Sequence, residues 1–258
     1  MAKASLIISI LTLLVLAVQM VWEDKINKEK EILREHTLEL RNALTDLDVV
    51  EEEDIKLRDA QMPSNTRQAL SSALNDRRLI LLDSALDLTR DKDLSGHVGT
   101  YSYVVLSRQM ERQARYRDAL FLLNSALGQE TAPSLEKSIV QAEIGSICLR
   151  PKTDVFDSAG GNSAFNDALS WSATKTDDNS KWASLNLLIT WTEADLEAGE
   201  WDNAGKHSQQ ARAKLESLKN MNPSQRTDAS DELSRIDQLV ASHSAPPQEQ
   251  SFPFPILQ

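Results

Sequence analysis

Residues 4–22 run for 19 positions without a charge, and the chain beyond them is polar, acidic and patterned for helices. An α-helix rises about 1.5 Å per residue and the hydrocarbon core of a bilayer is about 30 Å thick, so about 20 apolar residues cross it. The run predicts a transmembrane anchor over residues 1–22. It is longer than the apolar core of a signal peptide, and Ala17-Val18-Gln19-Met20-Val21-Trp22 offers no small-x-small cleavage site, so the anchor is expected to be retained. Trp22 falls at the depth where aromatic rings settle between headgroups and tails.

Orientation is a contest of charges. Lys3 precedes the run, whereas Lys25, Lys28, Lys30 and Arg34 follow it, a bias that would keep the following domain in the cytoplasm. These cations are interleaved with Glu23, Asp24, Glu29 and Glu31, and long domains translocate largely regardless of charge. A short Lys-bearing N-terminus before one hydrophobic segment is the pattern of an export-directing anchor. The expectation is a single-pass membrane protein with its large domain on the exported, periplasmic or extracytoplasmic side.

Leu, Ala, Ser, Asp and Glu dominate the sequence and only 8 Gly and 8 Pro interrupt it, which predicts an all-α fold. A formal net charge of −11 speaks against nucleic acid as a partner, because phosphate contacts need clustered Lys and Arg. Cys148 is the only cysteine, so no internal disulfide forms; between Ile147 and Leu149 it is expected to be a small core side chain.

Residues 23–60 are expected to continue the anchor as a juxtamembrane helical stalk. Ile26, Leu33, Leu40 and Leu47 recur every seven positions, with Leu44 and Val50 beside them. The intervening positions Glu29, Lys30, His36 and Thr37 are poor for a self-sufficient coiled coil, which leaves two options, a helix lying against a partner or its own repeat domain, or self-association through the stalk. The acidic cluster Glu51-Glu52-Glu53-Asp54 reads as a solvated helix start.

Residues 61–241 carry a pattern of paired amphipathic helices. Leu79-Ile80-Leu81-Leu82-Asp83-Ser84-Ala85-Leu86 is echoed 41 residues later by Leu120-Phe121-Leu122-Leu123-Asn124-Ser125-Ala126-Leu127, with six of eight positions identical. An aromatic residue, a polar pair and an Ala are expected to open three helices: Tyr116-Arg117-Asp118-Ala119, Phe165-Asn166-Asp167-Ala168 and Trp201-Asp202-Asn203-Ala204. On these residues, and on the run Tyr103, Leu106, Ser107, Met110, Ala114, Tyr116, Ala119, Leu123, Ala126 and Pro133, the chain resembles the tetratricopeptide-repeat family. A second unit holds Leu188, Trp191, Gly199, Trp201, Ala204 and Ala211, with Gly199-Glu200 as a tight turn. The first unit has Asn75 and Arg78 where the aromatic and Ala belong, and an inserted loop is expected around residues 151–163, with Gly160-Gly161 as a flexible turn.

The resemblance implies an α-solenoid of antiparallel helix pairs whose first helices line a concave groove. Carried onto the two matching units, that groove would be formed by Tyr101, Val104, Arg108, Glu111 and Arg112, and by Asn186, Ile189, Glu193, Leu196 and Glu197. Trp171, Trp182, Trp191 and Trp201 are spaced for inter-helix packing. A last amphipathic segment over residues 228–240 would cap the stack.

Residues 242–258 break from this pattern. Phe252-Pro253-Phe254-Pro255-Ile256-Leu257-Gln258 is apolar and Pro-spaced, so it is extended or disordered rather than helical. Phe252, Phe254, Ile256 and Leu257 could enter a pocket on a partner, or the tail could pack back on its own domain.

Little in the sequence points to chemistry. His36, His97, His207 and His243 have no paired spacing, and there is no H-E-x-x-H, P-loop, G-x-S-x-G or dinucleotide motif. Asp91, Asp93 and Ser95 with Gly96 form a weak calcium candidate, because Ser102 stands where an EF-hand needs a bidentate Glu. The expectation is therefore no enzyme, no cofactor and no resident metal, but a membrane-anchored scaffold that binds other proteins as an accessory or assembly subunit of a membrane complex. The alternative is a purely structural subunit docked through stalk and tail.

Overall fold

The computed structural model describes the backbone of residues 2–91, 94, 96–129, 134–172, 175 and 177–244, and the side chains of the same residues except 2–21, 23, 24 and 244. Among the described residues there are nine α-helices and no strand: α1 Ala2–Asp59, α2 Ser64–Arg90, α3 Thr100–Arg112, α4 Tyr116–Gln129, α5 Leu135–Cys148, α6 Ser158–Ser170, α7 Asp178–Ala198, α8 Trp201–Ser217 and α9 Pro223–Ser244. The fold is all-α. Stalk and apolar run share one continuous backbone helix, α1, 58 residues long. Among the described residues no helix is long and apolar enough to cross a membrane, and the side chains that carry the anchor expectation lie outside them. Residues 245–258, with Phe252, Phe254, Ile256 and Leu257, and Pro133 of the repeat match also lie outside.

The chain divides into two units, Met1–Gln109 and Met110–Gln258. In the first, α2 folds back along α1. Arg67 Nη2 donates to the Ala60 carbonyl at 2.7 Å, Arg78 lies 3.6 Å from Asp54, and His36 lies 3.2 Å from Asp91, so the two helices run antiparallel. The heptad seam now has an owner: Leu40, Ala43, Leu47, Val50 and Leu57, at spacings of three, four, three and seven, are all buried, as are Leu82, Ala85 and Leu86 of α2. From Leu40 onward the stripe is used within the chain.

The acidic cluster is not a helix start. It lies near the C-terminal end of α1, where carboxylates oppose the helix dipole, and cations offset it: Lys56 sits 2.6 Å from Glu52, Arg58 2.7 Å from Asp54, and Arg77 of α2 3.6 Å from Glu53. Gln109 of α3 donates to Glu51 at 2.9 Å, bringing α3 onto the same stretch.

The second unit stacks antiparallel helix pairs, α5 with α6 and α7 with α8, and α9 lies against α8 and α7 as their cover. Two turns share one geometry. Gly199 (φ 79°) ends α7, donating to the Leu196 carbonyl at 3.1 Å, while Glu200 N donates to the Asp195 carbonyl at 2.8 Å. Ala114 (φ 56°) follows α3 in the same way, with Ala114 N to Glu111 O at 2.8 Å and Arg115 N to Met110 O at 2.9 Å. Both are Schellman caps, which reverse the chain by placing one residue in the left-handed region. Two positions later an aromatic, Tyr116 or Trp201, begins the next helix, and Ala119 or Ala204 beyond it is wholly buried.

The third aromatic-Ala motif behaves differently. Asp157 caps α6 by accepting from Gly160 N at 2.9 Å, so the helix begins at Ser158 and Phe165 lies two turns inside it. Gly160-Gly161, expected as a flexible turn, is the first turn of that helix. Gly161 is buried where a Cβ would meet the Leu149 side chain at 2.8 Å, and a Cβ on Gly145 of α5 would stand 2.5 Å from the Phe165 ring. These two glycines allow α5 and α6 to approach closely. Cys148 is half-buried rather than a full core residue, and burial together with Asp157 pushes its thiol pKa up.

Glycine-to-alanine exchanges should therefore differ in sign. Gly145→Ala is expected to destabilise by about 2 kcal/mol, since the Phe165 ring cannot move without disturbing its neighbours, whereas Gly128→Ala in α4, where a Cβ meets nothing within 4 Å, should stabilise by about 0.5–1 kcal/mol. Ala114→Gly should stabilise by about 0.5–1 kcal/mol by relieving a left-handed alanine. Denaturant midpoints of the three variants check these signs.

Candidate functional site

α5 spreads Leu135, Ile139, Val140, Ala142, Ile144 and Ile147 over more than one face, with Lys137 and Gln141 as a polar strip between them. A helix of that kind cannot satisfy every face with one partner. Its inner face meets α6, where Ser138 Oγ donates to the Ala168 carbonyl at 2.7 Å and Gly145 receives Phe165. Another face turns to α7, the first helix of the next pair, and there the two helices do not close. Small side chains, Ala142 and Ser146 on α5 and Ala183 on α7, leave an open cleft of about 290 Å³. Leu135 and Ile139 line it while 40% and 38% exposed, and Leu187 forms its floor at 9%. Asn186 and Thr190 supply polar groups at the rim, and Glu143 is its one ionisable side chain.

The expected groove residues are distributed as follows. On α3, Tyr101 is exposed, Val104 is buried, Arg108 and Arg112 are exposed, and Glu111 is half-buried, accepting from Arg150 at 2.5 Å. Tyr101, Val104 and Arg108 belong to the first unit, Glu111 and Arg112 to the second. On α7, Asn186 lines the cleft. Ile189 and Leu196 pack against the hydrophobic core, Glu197 is exposed, and Glu193 faces α9, 3.4 Å from Arg235. The α5 wall, Leu135, Ile139 and Ala142, was missed because no repeat motif falls on that helix; the available signal was the spread of its apolar residues over more than one face.

On an adjoining face of α7, an aromatic and polar cluster joins the two pairs. Phe165 stacks on Trp191 at 5.3 Å and 7°, and Trp191 lies 3.7 Å from the His207 ring centroid. His207 Nδ1 is 2.7 Å from Oδ2 of the fully buried Asp195. Burial pushes the Asp195 carboxyl above the ordinary range, and His207 acts against that shift. Trp191 Nε1 donates to Asn162 at 2.8 Å, and Glu200 accepts from Ser158 and, at 2.7 Å, from Asn203; these bonds, Ser158 first, hold its carboxyl low. The Asp-His pair resembles part of a catalytic couple in composition only: it lies under the Trp191 ring and ties α7 to α8.

Trp191 alone among the four clustered tryptophans is fully buried; Trp171, Trp182 and Trp201 are half-buried, Trp201 stacking on His243 at 3.5 Å. Of the calcium candidate, Asp91 faces His36, while Asp93 and Ser95 lie outside the described residues. Among the described residues no group of three or more His, Cys, Asp or Glu could hold a metal ion. Comparison with protein-family models, with curated proteins and with solved structures finds no match for this chain.

Glu193 gives a pH-dependent readout of this region. Burial first, and the adjoining Glu232 second, raise its pKa above 4.5, while hydrogen bonding to Arg235 holds Glu232 low. A carboxyl with a raised folded-state pKa contributes stability that is full below its unfolded value and is lost as pH rises through the folded one. Glu193→Gln should accordingly raise Tm at pH 7 and leave it unchanged near pH 4. Thermal unfolding at the two pH values checks this, and an equal shift at both would show that ionisation of Glu193 is not the cause.

Proposed function

We propose that this chain is a membrane-anchored helical scaffold, a tetratricopeptide-like stack that binds other proteins as an accessory or assembly subunit of a membrane complex. The observation that carries this reading is the open cleft between α5 and α7, the first helices of successive pairs, with exposed Leu135 and Ile139 on its wall. Exposed apolar side chains around a concavity, edged by a few polar groups, suit burial of a polypeptide side chain and its backbone. The shared turn, a left-handed residue followed by an aromatic and then a buried Ala at 114–119 and 199–204, supports the family likeness.

The anchor part of the proposal rests on the uncharged run of residues 4–22 and on the helical backbone of α1 that contains it. Such a helix would hold the scaffold within a few turns of the bilayer, with the helix pairs on the exported side. Self-association through the stalk would have to use the stretch before Leu40, since the seam beyond it is buried within the chain.

Ile139→Glu combined with Asn186→Arg places charge on both walls of the cleft at positions exposed enough to leave the core intact. After gentle detergent extraction of membranes, the proteins that co-purify with the natural chain should be lost from this variant while its Tm stays within about 3 °C, a shift equivalent to about 1 kcal/mol. Unchanged co-purification would sink the cleft as the binding surface. Recovery of the chain in the aqueous fraction after alkaline washing of membranes would sink the anchor.

A further inference from the structure

We propose that the groove between α1 and α2, at the turn end of their hairpin, binds a phosphate dianion, either the free ion or a small phosphomonoester. The site lies wholly within the first unit and stands apart from the cleft reading above.

The inward seam of α2 changes character along the helix. Leu82, Ala85 and Thr89, three and four residues apart, are buried. Followed towards the start of the helix at the same alternation of four and three, the seam runs through Arg78, Asn75, Ser71, Gln68 and Ser64. Apolar residues there would let α2 close on Leu57 of α1, whereas polar side chains resist burial without partners. The helices accordingly leave an open groove of about 630 Å³, lined by all five of these residues and by Asp54, Leu57 and Arg58 of α1.

Charge selects the ligand. Arg58, Arg67 and Arg78 bring three guanidinium groups to the groove, and Asp54 is the one carboxylate among its lining side chains. That is an excess of two positive charges in a chain of formal net charge −11. Asp54 accepts from Arg58 at 2.7 Å and lies 3.6 Å from Arg78, while Arg67 Nη2 donates to the Ala60 carbonyl at 2.7 Å. These contacts hold the arginines at the turn end, and a guanidinium with five N–H donors is not exhausted by one acceptor. Arginines facing a tetrahedral dianion form bidentate charge-assisted bonds that a halide cannot reproduce. The hydroxyls of Ser64 and Ser71 and the amides of Gln68 and Asn75 add donors and acceptors suited to phosphate oxygens or to the hydroxyls of a polar ester. No aromatic side chain lines the groove, so a nucleobase would find no ring to stack on.

The test is isothermal titration calorimetry of the full chain in detergent, in physiological chloride and near pH 8, where phosphate is the dianion. The probes are inorganic phosphate and glycerol phosphate, and saturable binding with a Kd of about 1 mM or tighter is expected for at least one. Tighter binding of the ester assigns the groove to phosphomonoesters; equal or tighter binding of inorganic phosphate assigns it to the free ion. Arg67→Gln should weaken binding at least about tenfold, through loss of one charge-assisted partner. Because the arginines also brace the hairpin, Ser71→Asp is the second variant. It sets a carboxylate in the groove at an exposed position, and should abolish binding while Tm stays within about 3 °C. Absence of saturable binding for both probes overturns the inference, as does unchanged affinity in either variant. Tighter binding of a Glu-rich peptide than of both phosphates also overturns it, by assigning the groove to an acidic protein segment.

Discussion

The contact between Phe165 and Trp191 governs the second unit. Phe165 can lie flat on the indole only because Gly145 leaves its side of α5 bare, and Trp191 presents its other face to His207. The Trp191 ring of α7 thereby contacts Phe165 of the α5–α6 pair and His207 of α8. Burying two large aromatics is worth about 2–3 kcal/mol each and their stacking about 1 kcal/mol more, enough to fix the spacing of the two pairs. That spacing sets the cleft. α7 is held by Trp191 and Asp195 on one face, and its adjoining face, with Ala183, Asn186 and Thr190, stands at a distance from α5 that small side chains do not fill.

The first unit follows a different rule. α1 is long, and its apolar seam is narrow, two positions in seven, which suits a single antiparallel helix better than a broad core. α2 supplies that helix. Its first half is largely exposed and held to α1 by ion pairs, whereas its second half buries Leu82, Ala85 and Leu86. Exposed ion pairs contribute little each, so the anchoring of α2 rests mainly on that second half.

The groups that join helices and the groups that line the cleft lie on different faces of α7. The inner side of this helix holds the titratable and hydrogen-bonding groups, Asp195 with His207 and Trp191 with Asn162, all engaged in joining helices. The outer side offers apolar surface and simple polar groups.

Helix content, the apolar run, the heptad of α1 and the echo between α2 and α4 could all be read from the residues, because each depends on periodicity within a few turns. The turns at 114–119 and 199–204 were equally legible, since a Schellman cap and its following aromatic are local. Phe165 was misplaced for the same reason: its motif looks like a helix start, and only Asp157 capping upstream and Gly145 on another helix decide that it lies mid-helix. Whether Leu135 and Ile139 end in a core or on an open wall depends on α7, some fifty residues away in the chain. Sequence alone determined most of the helical segments and the reversals after residues 112 and 198, but not the start of α6. The tertiary structure decided which apolar faces remain open, because burial is a property of what arrives opposite a side chain rather than of its neighbours along the chain.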